Sequence, residues 1–170
     1  LYTLVAKKDF FLPKDFKEKH LFVYNFLNML QILSLQIFIY VSIINSLDFT
    51  HFIYSHILFV FILSIQVEIS RKIKPEISLA NDLYSDRMGM GRSIILWGVF
   101  GIFSIINSAY LAYIIGIQLN TILFLEFIML THIFIVGTLY YLKKSLTYEN
   151  YFLAIMILTY IGQNLFLAYA

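Results

Sequence analysis

The chain has 170 residues, 61% hydrophobic and 13% charged, with a mean hydropathy of +0.82 and a formal net charge of +2. Soluble domains carry roughly 25% charged residues, so this composition excludes an ordinary soluble domain and predicts an all-α integral membrane bundle. The absence of cysteine excludes disulfides and thiolate metal sites. No glycine-rich phosphate loop or serine-nucleophile motif is present. The few basic residues sit beside apolar runs, which argues against nucleic-acid binding.

In chain order, residues 7–19 (KKDFFLPKDFKEK) are charged and lack a signal-peptide pattern. With Leu1 as first residue, the expectation is one partial membrane domain over 1–170, cut from a longer chain. A bilayer core needs about 20 apolar residues as helix, and the uncharged runs predict spans near 21–46, 50–69, 92–115, 119–142 and 150–168. The break between the third and fourth is placed at GIQLN (116–120), with Gly116 ending one helix and Asn120 capping the next. Under this five-span arrangement all 12 Lys and Arg residues fall on one side. The positive-inside rule then makes residues 1–19 and the loop 70–91 cytoplasmic and the C-terminus external; the membrane expected is a bacterial-type inner membrane.

The loop after the second span is long for a helix connection and reads EISRKIKPEISLANDLYSDRMG (68–89). Asp82 and Asp86, four apart, share a face if that segment is helical. Mg²⁺ takes one or two carboxylates and completes its shell with phosphate oxygens and water. Arg71, Lys72, Lys74 and Arg87 suit phosphate oxygens. Acid pair and basic cluster at a membrane surface fit a Mg²⁺–diphosphate site, while the plain alternative is a solvated connector whose cations set topology. Glu68, three residues before Arg71, is placed to pair with it.

The string EISRKIKPE…NDLYSDRMG resembles the second polar motif region of the UbiA superfamily of membrane prenyltransferases. The residues that carry the likeness are Glu68, Arg71, Lys72, Ile73, Pro75, Glu76, Asp82, Tyr84, Ser85 and Gly89. Residues 6–30 also resemble the connector into that family's fifth helix. The resemblance implies the second half of a nine-helix fold. It also implies Mg²⁺-dependent transfer of an isoprenyl group from a prenyl diphosphate to an acceptor, commonly aromatic. In these terms Asp82 and Asp86 hold Mg²⁺. Arg71, Lys72, Lys74, Arg87 and Tyr84 bind the diphosphate, and Glu68 orients Arg71. The family's first Asp-rich motif is absent from these residues, so the implied site needs the missing N-terminal half, and this chain alone is expected to be inactive. The rival expectation is a non-catalytic scaffold, remnant or split subunit.

Within the spans, Glu126 lies roughly 10 Å from the outer end of the fourth at 1.5 Å per residue. An intramembrane carboxylate is a functional candidate; the alternative is a carboxyl hydrogen-bonded to Gln, Asn or Ser on a neighbouring helix. Asn25 and Asn28 share a face near the start of the first span and suit an acceptor pocket or helix–helix hydrogen bonds. Gly98, Gly101 and Ser104 form a small-residue stripe expected to be a packing seam.

Overall fold

The computed structural model describes residues 12–13, 15–45, 49–75 and 83–169. These residues hold helices and connecting turns, with no strand among them. A short α1 (Phe16–Lys19) leads into α2 (Leu21–Ile44), and α3 (His51–Arg71) follows. A five-residue α4 (Tyr84–Met88) precedes α5 (Met90–Ile114), α6 (Leu119–Lys143) and α7 (Leu146–Tyr169). Helices α2, α3, α5 and α6 are each long and apolar enough to cross a membrane, which makes this a membrane protein. In lipid, the helix satisfies every backbone polar group within its own segment.

Helix ends follow local chemistry. Asn45 closes α2 in the left-handed region (φ 56°), where Asn is among the most tolerated residues. Thr50 caps α3, its hydroxyl accepting from the Ile53 amide at 3.4 Å. After α5, Gly116 takes φ +86°, the Ile117 amide donates to the Ala112 carbonyl at 3.0 Å, and the Gly116 amide donates to the Tyr113 carbonyl at 3.1 Å. That is the Schellman pattern, and it needs a residue without Cβ. Gly116 therefore ends its helix as expected, but Asn120 does not cap the next one. The extended cap is Gln118 (φ −61°, ψ 133°), and Asn120 already lies inside α6. The tight turn at Gly116 leaves only two residues before the chain re-enters helix.

Helices α3, α5, α6 and α7 pack together, with α2 resting on the side of α3. The centre is aromatic. Phe152 of α7 lies between Trp97 of α5 (centroids 4.5 Å apart) and Tyr140 of α6 (4.8 Å, stacked). Gly101 lets α5 approach its neighbours: a Cβ there would meet Gln66 Nε2 at 2.6 Å and Ile133 Cδ1 at 2.7 Å. Gly137 brings α6 close to Trp97 in the same way, with carbon contacts from 3.4 Å. The expected seam is thus present at Gly101, whereas a Cβ at Gly98 would meet nothing within 4 Å.

Candidate functional site

Long-range contacts gather one end of the bundle. Asn25, in the second turn of α2, is 2% exposed. Its amide donates to the Tyr84 hydroxyl of α4 at 3.0 Å, and its carbonyl oxygen accepts from Lys72 Nζ at 2.6 Å. Lys72 also lies 3.3 Å from Glu68 Oε1, while Arg71 Nη1 reaches Glu68 Oε2 at 3.3 Å. Helix periodicity explains the fork, because residues three and four beyond Glu68 lie on its own face. Asn25, Glu68, Arg71, Lys72 and Tyr84 thus form one polar cluster where α2, α3 and α4 meet.

The loop beyond α3 is fastened by backbone. The Tyr84 amide donates to the Lys72 carbonyl at 2.9 Å, and the Lys74 amide donates to Ser85 Oγ at 3.1 Å. Tyr140 of α6 donates its hydroxyl to the Ile73 carbonyl at 2.7 Å, with both residues essentially fully buried. Lys74 Nζ stands 3.5 Å from Glu149 in the first turn of α7. The start of α2, the end of α3, the end of α6 and the start of α7 therefore share one end, which also holds the basic residues of the described loops. Burial holds the Tyr84 hydroxyl above the usual tyrosine range, the Asn25 hydrogen bond works against that shift, and the nearby Glu68 carboxylate adds to it.

Beneath the cluster lies an apolar cavity of about 320 Å³ lined by Phe22, Phe26, Met29, Ile65, Leu96 and Phe100, with Asn25, Glu68 and Tyr84 at its polar edge. A second cavity of about 370 Å³ opens on the other side of Glu68 and Met29, with Arg71 and Ser64 in its wall. Volumes of this size suit small ligands. Arg71 thus stands in the wall of the second cavity, while Lys72 reaches the edge of the first through its bond to Asn25.

The expected site residues are distributed unevenly. Glu68, Arg71, Lys72, Tyr84 and Asn25 come together. Lys74 is drawn toward α7 by Glu149. Asp86 is half-buried and Arg87 exposed on α4. Asp82, with Glu76 and Asn81, lies outside the described residues. Among the described residues no group of three metal-type ligands gathers. Asn28 is half-buried on α2 and lines neither cavity.

Elsewhere, Glu126 is 9% exposed on α6 with Ser108 of α5 beside it. Asn107, next to Ser108, donates to the Ser55 carbonyl at 3.1 Å and ties α5 to α3. His56 Nδ1 and the Tyr40 hydroxyl share a hydrogen bond at 2.7 Å, joining α2 to α3. Sequence reasoning did not single out Tyr140 or Glu149 as supports of the 72–75 loop, nor Gln66 and Gln163. Each of these two glutamines is under 4% exposed, with both amide atoms unpartnered among the described residues. Their only signal in the sequence was polarity inside an apolar run. No known protein family, curated protein or solved structure matches the chain.

Proposed function

We propose that this chain is a five-span membrane protein, with α7 as the fifth span, that binds an isoprenoid diphosphate at its cytoplasmic end as part of a UbiA-type prenyltransferase. The observation that carries the reading is one polar cluster between two cavities: Asn25, Glu68 and Tyr84 edge the apolar cavity, Lys72 bonds Asn25 and Glu68, and Arg71 stands in the wall of the adjoining cavity. One end of that arrangement suits phosphate oxygens and the other suits hydrocarbon. The basic end faces the cytoplasm by the positive-inside rule.

In this reading Arg71 is the mobile phosphate ligand. Its side chain is 67% exposed, so it can leave Glu68 for a more highly charged partner. Lys72 is held in place by Glu68 and Asn25 and supplies a fixed positive charge. The aromatic and aliphatic walls take the prenyl tail. Mg²⁺ would add charge neutralisation for the departing diphosphate, with Asp82 and Asp86 as its candidate ligands; the described residues carry no step of that chemistry. The acceptor is an aromatic or lipid-like molecule that approaches from the bilayer.

Equilibrium dialysis of detergent-solubilised protein with geranylgeranyl diphosphate tests the site. Arg71→Gln removes a charge-assisted phosphate contact worth about 1.5–3 kcal/mol, so affinity should fall about tenfold or more. Unchanged affinity would remove Arg71 from the site.

A second reading is favoured by one observation. Glu68 already balances Arg71 and Lys72, and Lys72, Asn25 and Tyr84 tie three elements into a clamp. On that reading the cluster is a structural staple in a non-catalytic scaffold, and the prenyl alcohol and its diphosphate should bind equally weakly.

A further inference from the structure

A different part of the molecule carries a second site. Between α5 and α6 runs an apolar cleft of about 460 Å³, walled by Ile94, Ile95, Val99, Ile102 and Phe134, with Trp97 and Tyr141 also in its lining. Gly91, Gly98 and Gly137 give it depth. It shares no residue with the cavities beside Glu68. Along α5 it extends from Gly91 to Ile102, about 16 Å at 1.5 Å per residue. A bilayer's hydrocarbon core is about 30 Å thick, so the cleft runs the depth of one leaflet, starting at the basic end.

Cations mark that end. Lys144 Nζ stands 5.2 Å over the Tyr141 ring, and a Cβ added at Gly91, where the cleft begins, would lie 3.4 Å from that same ring. Arg92 and Lys143 are exposed on the adjoining turns. Among the described residues none of these three cations pairs with an acid. We infer that the cleft seats one acyl chain of an anionic phospholipid from the leaflet at the basic end, with the headgroup phosphate held by Lys144 and Arg92. The charge is complementary, the walls match hydrocarbon, and the length matches one leaflet. Cytoplasmic leaflets are the ones rich in anionic lipid. The inference stands apart from the diphosphate reading, because neither the residues nor the ligand are shared.

The chain's single tryptophan, Trp97, lines the cleft and is 1% exposed, so its fluorescence reports on a chain lodged there. The test places the full chain in phosphatidylcholine nanodiscs containing either dibrominated phosphatidylglycerol or dibrominated phosphatidylcholine at equal mole fraction, bromines on the acyl chains. The glycerol lipid should quench at lower mole fraction, by roughly fivefold for each cation engaged. Lys144→Asn with Arg92→Gln should reduce it to the level of the choline lipid, Asn being chosen because Lys144 closes α6 in the left-handed region (φ 45°). Gly98→Leu, whose Cβ would meet nothing within 4 Å, fills the cleft and should abolish quenching by both. Equal quenching by the two lipids in the native chain overturns the proposal. So does a phosphatidylglycerol advantage that survives in the Gly98→Leu protein, since the lipid would then sit elsewhere.

Discussion

Replacing Asn25 by alanine is the sharpest perturbation of the polar cluster. The side chain is buried and makes two hydrogen bonds, one charge-assisted from Lys72 at 2.6 Å and one to the Tyr84 hydroxyl at 3.0 Å. A hydrogen bond to a charged group contributes about 1.5–3 kcal/mol and a neutral one about 0.5–1.5 kcal/mol. Lys72 retains Glu68 at 3.3 Å, which limits the loss at the charged arm. Asn25→Ala should therefore destabilise by about 2–4 kcal/mol. Tyr84→Phe removes only the neutral arm and should cost about 1 kcal/mol. Reversible unfolding in mixed micelles, followed by circular dichroism, measures both. The double variant should fall short of the sum by about 0.5–1.5 kcal/mol, the coupling expected of residues in contact. Strict additivity, or an Asn25→Ala cost under about 0.5 kcal/mol, the scale of a neutral surface change, would refute the idea that Asn25 joins α2 to α3 and α4.

Tyr140→Phe leaves the buried Ile73 carbonyl without its donor and should cost about 1–3 kcal/mol, read as a lower melting temperature with the helical spectrum retained. Gly101→Val should destabilise by about 1–3 kcal/mol through overpacking against Gln66 and Ile133. Gly98→Ala should be neutral or stabilising by up to about 1 kcal/mol, so a parallel melting series separates seam from cleft. Tyr84 supplies a pH test. Its raised hydroxyl pKa means that the unfolded chain ionises first as pH climbs. The stability advantage of the native protein over Tyr84→Phe should hold below the ordinary tyrosine value of about 10 and shrink above it. An advantage that grows with alkaline pH would contradict the placement.

The apolar runs were legible because lipid imposes about 20 residues of helix on each span and punishes charge within it. The end of α5 at Gly116 was legible for a local reason, since few residues other than glycine take φ +86°. The start of α6 was not, because Gln118 became the cap through the geometry of the preceding turn rather than through its own side chain. In the site, Glu68 with Arg71 was readable because periodicity decides it. The partners of that pair were not. Lys72 reaches Asn25 across 47 residues, Asn25 reaches Tyr84 across 59, and Tyr140 reaches Ile73 across 67. Only the packing of helices sets such contacts. The small-residue stripe read as one seam and divides into two surfaces, Gly101 facing Gln66 and Ile133, and Gly98 facing the cleft.

The central claim is that an isoprenoid diphosphate lies with its head at Arg71 and Lys72 and its tail between α2, α3 and α5. Photo-crosslinking with a prenyl diphosphate that carries a benzophenone on its tail, read by peptide mass spectrometry, tests it most directly. Labelling should fall on the cavity wall at Phe26, Met29, Ile65 or Phe100, should be competed by unmodified diphosphate, and should be insensitive to the corresponding alcohol. Labelling spread along the lipid-facing helix surfaces, or competed equally by the alcohol, would contradict it.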